Sequence, residues 1–313
     1  MGVGIGLQSE WEVTLKDAIT GNIKQHIPWH KNTILDAGLN FLLGWGYGFT
    51  NYWPNLPHPT YTPFGYVAVG TGNTAPATTD TGLQTPILRK AMRTVDSTEL
   101  VVTDPTAPYC IIGTTFVESE ANGDLKEVGL ATTLTGGTFF NRDLFKDGNG
   151  DPVTITKTSN DLLVVKCKIT VKRISETPSS YNVVGSDGVT YAIKGIVINT
   201  GLRDFINSSG FWGSAIMLAG TNATDPASAD TGIKTGSTSG SVNSAWATAH
   251  TGPSGGFYRD FPMVANPGDC NINIAEAVPN LSAFKSRFTF NPVLAKTSAK
   301  KLTLTMRVTL SRL

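Results

Sequence analysis

One line of turn-forming residues occurs twice in this chain, and it constrains the fold more than any other feature. Gly70–Thr85 reads GTGNTAPATTDTGLQT, and Gly220–Thr235 reads GTNATDPASADTGIKT. The two segments lie 150 residues apart, align without a gap and share nine of sixteen residues. A repeat of this kind indicates that the chain contains two copies of one structural unit.

Further pairs of segments recur in the same order around this line. A hairpin-like stretch, EWEVTLKDAITGNIKQHI or YNVVGSDGVTYAIK, comes first in each half. It is followed by ILDAGLNFLL or VINTGLRDFI, in which Asp36 or Asn199 is placed to cap a short helix. Each half closes with a turn and a long alternating strand, in Lys157–Arg173 and Lys296–Arg312. Just before them, GGTFFNRDLF aligns with LSAFKSRFTF.

This arrangement predicts an all-β protein of two tandem β-sandwich-like domains, related by internal duplication and each carrying one short helix. Residues 1–9, which contain GVGIG, are expected to form a flexible N-terminal arm. Residues 10–173 form the first domain and residues 181–313 the second. The polar segment ISETPSS places a linker at residues 174–180.

The bulk properties exclude several classes of protein. With 25 basic and 24 acidic side chains, the chain lacks the positive charge of a nucleic-acid-binding protein. Its apolar runs are far shorter than the roughly 20 residues of a membrane span. The first residues lack the basic start and apolar centre of a signal peptide. We therefore expect a soluble protein that is made in the cytosol, with no membrane span and no nucleic acid as partner.

The residues that could bind metal do not have the required spacing. Asp147, Asn149 and Asp151 begin like a calcium loop, but Pro152 stands where glycine is needed for the sharp turn, so a β-turn is favoured. His26 and His30 lie about 13 Å apart in an extended strand and could share an ion only if the strand bends at Pro28. The sequence therefore predicts no metal site and no cofactor.

The cysteines and the repeated acidic residues also favour structural roles. Cys110, Cys167 and Cys270 are an odd, widely spaced set without a C-x-x-C pair, and Cys167 lies in the apolar run LLVVKCKITV, so a buried thiol is expected there. Glu127 and Glu276 occupy equivalent positions, but each lacks the second acid that acid–base catalysis would need. No nucleophile elbow, phosphate loop or zinc-protease helix is present. We predict no catalytic residue and no enzymatic activity.

The two halves differ most in an aromatic insertion. The first half has about thirteen extra residues within GWGYGFTNYWPNLPHPTYTPF, residues 44–64, which hold seven of the 28 aromatic residues. Exposed aromatic residues of this kind can stack on sugars or anchor a protein interface, or they can fold back over the domain's own core. The candidate interface residues are Trp45, Tyr47, Phe49, Tyr52 and Trp53.

Four segments of the first half carry a resemblance to a known group of proteins. They are NTILDAGLNFL (32–42), VGTGNTAPATTDTGL (69–83), EANGDLKEVGL (120–130) and ITKTSNDLLV (155–164). After an N-terminal hairpin, this order resembles that of a group of tailed-bacteriophage virion proteins and covers most of residues 10–173. In the second half, INIAEAVP keeps only the acidic centre of the third segment.

The resemblance implies a non-enzymatic structural component of a phage particle, in the tail, collar, fibre or capsid-decoration class. It implies assembly as a homo-oligomer and contact with other virion proteins of the tail, collar or capsid. The expected location is the virion, after synthesis in the cytoplasm of the bacterial host. A capsid-decoration protein and a carbohydrate-binding receptor protein that contacts a host-surface glycan are the alternatives.

Overall fold

A computed structural model describes residues 2–44, 65–92, 104, 106–175, 178–197, 215–227, 229–230, 238–240, 249–250, 257–265, 267, 272–281, 284–299 and 301–313. Most of these residues lie in β-strands, and a single α-helix occurs among them. The predicted all-β class is confirmed.

The first half of the chain contributes eleven strands and the helix α1, Asp36–Gly44. The helix begins at Asp36 as predicted, but the carboxylate of Asp36 accepts a hydrogen bond from Arg312. The strands are β1 Gly2–Asp17, β2 Ile23–Lys31, β3 Thr33–Ile34, β4 Tyr66–Gly70, β5 Pro86–Ala91, β6 Tyr109–Phe116, β7 Gly123–Leu125, β8 Glu127–Ala131, β9 Phe139–Leu144, β10 Ile155–Lys157 and β11 Asp161–Arg173.

The second half contributes nine strands to the described parts of the chain. They are β12 Ser179–Val184, β13 Thr190–Val197, β14 Ala215–Gly220, β15 Thr238–Gly240, β16 Ala249–His250, β17 Phe257–Ala265, β18 Asn273–Leu281, β19 Phe284–Ala295 and β20 Leu302–Arg312. The second short helix, predicted to begin at Asn199, lies outside the described residues.

The strands form three large sheets and one small one. A seven-stranded sheet has the order β16-β17-β20-β1-β11-β6. Its seventh strand, β2, pairs with part of β1 on the side away from β11. A five-stranded sheet has the order β3-β9-β8-β4-β5, and a six-stranded sheet the order β12-β13-β19-β18-β14-β15. The pair β7 and β10 is separate. The seven-stranded sheet therefore combines strands from both halves of the sequence.

The core lies between the inward faces of these sheets. Leu163, Val165 and Cys167 alternate with more exposed residues along β11, and all three are fully buried. A polar contact joins the seven-stranded and five-stranded sheets, since Asn141 on β9 donates a hydrogen bond to the Ser9 hydroxyl on β1 at 2.8 Å. The core thus combines apolar packing with at least one satisfied polar pair.

The prediction of a flexible N-terminal arm is wrong. Gly2–Asp17 is one continuous strand, whose start lies parallel to β20 with Gly2 opposite Arg307, and Ile5 and Leu7 are fully buried. The glycines of GVGIG serve close packing, because a Cβ added to Gly4 would lie 2.5 Å from Cδ1 of Ile174. A Cβ on Gly6 would collide with Leu313 in the same way.

The two sequence-equivalent hairpins join different sheets. The strands β1 and β2 pair with each other, and β1 pairs with β11 along Ile5–Asp17. In the second half, β12 pairs with β13, and β13 continues onto β19 instead of reaching β20. The division into domains at residues 10–173 and 181–313 stays a prediction. Of the helices in the described ranges, none has the length and apolar character needed to cross a membrane.

Candidate functional site

The repeated line of the first half is a loop between β4 and β5, held from beneath by one buried carboxylate. Glu127 is fully buried and accepts backbone hydrogen bonds from Gly72, Gln84 and Thr85 at 3.1, 2.9 and 2.7 Å. Gly72 is needed for this approach, because a Cβ there would lie 2.5 Å from Oε1 of Glu127. The loop is thus fastened near both of its ends.

A buried arginine completes this arrangement. Nε of Arg142 donates to Glu127 at 3.0 Å, Nη1 donates to Asp80 at 2.5 Å, and Nη2 donates to the carbonyl oxygen of Thr74 at 2.9 Å. Asp80 in turn accepts a hydrogen bond from the backbone amide of Ala77 at 3.0 Å. Glu127, Arg142 and Asp80 form what we call the first cluster, in which one guanidinium is shared by two carboxylates.

The same three residue types meet in the second half. Nε of Arg287 donates to Glu276 at 2.8 Å, and Nη1 donates both to Asp230 at 3.1 Å and to the carbonyl oxygen of Thr224 at 3.0 Å. The backbone amide of Ala227 donates to Asp230 at 2.8 Å. Glu276, Arg287 and Asp230 form the second cluster, and the arginine and the glutamate are fully buried.

Each residue of the second cluster aligns in sequence with its counterpart in the first. Asp80 and Asp230 are identical positions of the repeated line, and Arg142 and Arg287 align within GGTFFNRDLF and LSAFKSRFTF. Neither arginine was predicted as a partner of Glu127 or Glu276, and Asp80 and Asp230 were predicted only as turn residues, although the identity of all four at aligned positions was a signal that could have revealed the clusters. The structural role predicted for Glu127 and Glu276 agrees with these contacts.

The residues considered as metal ligands are engaged in other contacts. The carboxylate of Asp147 accepts backbone hydrogen bonds from Asn149 and Asp151 at 2.9 and 3.0 Å, and Gly150 has a φ of 89°, so the predicted β-turn is confirmed. His26 faces Glu12, whereas Nδ1 of His30 faces the carbonyl oxygen of Pro28. Across the ranges that the structure describes, no three His, Cys, Asp or Glu side chains are grouped as metal ligands.

The two described cysteines are buried and unreactive. Burial raises the pKa of Cys110 and of Cys167 to about 12, so both thiols are protonated at neutral pH. The Sγ atom of Cys167 lies 3.3 Å from the hydroxyl of Ser9 within the core. The prediction of a buried thiol at Cys167 is confirmed, and Cys270 lies outside the described residues.

The predicted aromatic interface cannot be placed, since residues 45–64 lie outside the described ranges. This segment contains all five candidate interface residues: Trp45, Tyr47, Phe49, Tyr52 and Trp53. The structure neither brings them together nor separates them.

The second half presents an open groove beside the edge strand β12. The groove has a volume of about 640 Å³ and lies between the β12–β13 hairpin and the start of β20. Its apolar lining includes Val183, Val184, Phe290, Leu302 and Leu304, and its charged lining residues are Asp187, Lys296 and Lys301. Val184 is 68% exposed, although it is apolar. Exposed apolar residues that border a groove are typical of an interaction surface.

Comparison with known proteins gave no relative: no family model, curated protein or solved structure matches the chain.

Proposed function

We propose that the protein is a non-enzymatic structural component of a bacteriophage particle, which assembles as a homo-oligomer in the tail, collar or fibre region. The resemblance of four first-half segments to tailed-phage virion proteins supports this function. Its neighbours in the particle would be copies of itself and other virion proteins.

The structural observation that carries the proposal is the pairing of the first and second clusters. Each buried glutamate is bonded to an arginine that also holds a repeated loop, so these carboxylates fix backbone instead of facing a substrate. A general acid or base must reach the proton that it transfers. The use of the repeated acidic residues for packing therefore favours a framework protein over an enzyme.

Labelling of intact particles tests this function directly. Purified phage particles would be treated with an antibody to this chain and viewed by negative-stain electron microscopy. We expect label at the tail, collar or fibres. Label distributed over the head would favour the capsid-decoration alternative, and particles that carry no label and lack the chain in their protein content would overturn a virion role.

The aromatic insertion favours one second candidate, a receptor protein that binds a host-surface glycan. Seven aromatic residues within residues 44–64 could stack on sugar rings. A glycan-binding assay on the intact chain and on the Trp45→Ala and Trp53→Ala variants separates the two functions. Sugar binding that is lost in both variants supports the receptor, whereas a chain without sugar affinity supports the purely structural role.

A further inference from the structure

Among the edge strands of the described sheets, β12 lacks the features that normally prevent edge-to-edge pairing. Among the strands that the structure describes, it pairs with β13 alone, and it stands at the end of its six-stranded sheet. Its sequence, Ser-Ser-Tyr-Asn-Val-Val, contains neither a charged residue nor a proline. An exposed, uncharged edge strand is a ready template for another strand.

Two other edge strands show the contrast. Of the described strands, β2 pairs only with β1, and it carries Lys24, Pro28 and Lys31. The strand β5 begins with Pro86 and carries Arg89 and Lys90. Lysine, arginine and proline at an edge oppose the approach of a second strand. The edge strand β6 also lacks charge and proline, but all of its residues are buried or half-buried. The strand β12 therefore differs from these edge strands in being both uncharged and exposed.

The exposure of β12 extends to both faces of the strand. Its residues are exposed throughout, except for Tyr181, which is half-buried against the core. In an ordinary edge strand, alternate residues would point inward and be covered. The two exposed valines, Val183 and Val184, line the groove together with Leu302 and Leu304 of β20. A strand that lay along β12 would thus also cover apolar surface.

We propose that β12 is a self-association strand, which pairs antiparallel with β12 of a second copy about a two-fold axis. The proposal rests on the homo-oligomer in the proposed function and names its interface. In a two-fold antiparallel pair, residues near the axis face their own counterparts, so a charged residue would meet a like charge. Because β12 is uncharged, it is electrostatically compatible with itself. The pair would join two six-stranded sheets and cover the groove beside each β12.

Charge placed on this strand tests the proposal. Val184→Lys places a lysine, a residue that opposes the addition of another strand, on the edge strand of each copy. We expect the dissociation constant of self-association, measured by sedimentation equilibrium, to rise at least about tenfold. The matched control is Ile23→Lys, since Ile23 is 62% exposed on the protected edge strand β2, close to the 68% of Val184. The control is expected to associate like the wild-type protein.

Hydrogen exchange on the wild-type protein removes any dependence on the folding of a variant. Backbone amides of β12 should exchange more slowly at protein concentrations above the dissociation constant than below it, whereas amides of β2 should be unaffected. Equal exchange of β12 at both concentrations overturns the proposal.

The possible outcomes distinguish a failure of the β12 interface from a failure of the proposed function. If Val184→Lys is folded by circular dichroism and associates as strongly as the wild-type protein, β12 is not the interface, while a homo-oligomer built through another surface still stands. A wild-type chain that is monomeric at every concentration overturns both the interface and the homo-oligomer. The labelling of particles tests the virion location independently of either result.

Discussion

The two halves of the molecule agree at the repeated loop and differ at the hairpin that precedes it. Both loops are held by a Glu–Arg–Asp cluster at aligned positions. The hairpins, in contrast, join opposite sheets: β2 adds to β1 and the seven-stranded sheet, whereas β13 adds to β19 and the six-stranded sheet. The loop is thus a requirement of the fold, and the hairpin is the part that varies.

A short insertion accounts for this difference. From Arg142 to Lys157 is 15 residues, whereas from Arg287 to Lys296 is nine. In the first half the extra residues form a turn, and Lys146 bridges back to Pro152, so β9 ends at Leu144. In the second half β19 continues to Ala295 and offers a longer edge, to which β13 pairs.

The point of divergence is narrow. Thr33 and Ile34 lie opposite Arg142 and Asn141, just as Ile196 and Val197 lie opposite Arg287 and Ser286. The strand pairing of the two halves first differs at the residue that precedes Thr33 and Ile196. That residue is Asn32 in the first half, whose backbone amide and side-chain amide both donate to Ser9 at 3.0 Å. Its counterpart Gly195 has no side chain to make such a bond.

The largest effect is expected from removal of either cluster arginine. Arg142→Met and Arg287→Met each leave a fully buried glutamate without its cation, which should lower the free energy of unfolding by about 3–5 kcal/mol. Urea denaturation would measure the loss. Arg307→Met is the control, because Arg307 forms a half-exposed ion pair with Asp260 and should cost only about 0–1 kcal/mol. A large loss in one cluster and none in the other would break the equivalence of the two loops.

A smaller effect is expected at the start of the repeated loop. In Gly70→Ala the added methyl group would collide with the carbonyl oxygen of Thr85 and lie 2.7 Å from Oε1 of Glu127. Overpacking of this kind should lower the melting temperature and cost about 1–3 kcal/mol. Gly148→Ala serves as the control, since its methyl group would lie 4.0 Å from Pro28. An unchanged melting temperature for Gly70→Ala would show that the loop is less tightly held than its contacts indicate.

The residue where the halves diverge should have a more modest effect. Asn32→Gly places the second-half residue type in the first half and removes the side-chain hydrogen bond to Ser9. We expect a loss of about 1–2 kcal/mol and faster hydrogen exchange in β2. Exchange in β13 should not change, and it provides the internal control. If β2 exchanges as in the wild-type protein, Asn32 does not determine which sheet the hairpin joins.

The smallest expected effect is a loss of stability at low pH, which arises from carboxylates at the turn end of the β1–β2 hairpin. Hydrogen bonds from Thr20 and Lys24 lower the pKa of Asp17 to about 2. Burial would raise the pKa of Asp161, but hydrogen bonds from Lys24 and Thr158 outweigh it and lower the pKa to about 2. Because both values are depressed on folding, their stabilisation is complete above the unfolded pKa of about 3.8 and is lost as the pH falls toward 2.

This acid dependence should belong to the first half. The sequence counterpart of Asp161 is Lys300, so the second half cannot repeat the arrangement. Stability measured by denaturation between pH 5 and pH 2 should fall less in Lys24→Met than in the wild-type protein, because the variant lacks the shared cation. Parallel curves for the two proteins would contradict this assignment.

Local sequence patterns predicted the features that local interactions determine. The start of the helix at Asp36, the turn at Asp147–Gly150 and the alternating strand around Cys167 each depend on neighbouring residues, and each is confirmed. The clusters could have been found by alignment of the two halves, since Arg142 and Arg287 are identical. They were missed because Asp80 and Asp230 lie 62 and 57 residues before the arginines that bind them.

The pairing of strands that lie far apart along the chain could not be predicted from the sequence. Alternation on β1 or β13 shows which residues face inward, but it does not specify which sheet the strand joins. The glycines of the first strand suggested flexibility, because the residues that pack over them, Ile174 and Leu313, are distant in sequence. The exposure of β12 depends on the same unpredicted choice of sheet for its hairpin.

Because β1 pairs in parallel with β20, the seven-stranded sheet cannot be completed until β20 has been synthesised. Gly2 lies opposite Arg307, so 305 residues separate the two partners along the chain. At translation rates of about 5–20 residues per second, the first strand leaves the ribosome roughly 15–60 s before its partner exists. During that interval, the apolar residues Ile5 and Leu7 lack one of the strands that cover them. We therefore expect the nascent chain to depend on chaperones until β20 has been synthesised.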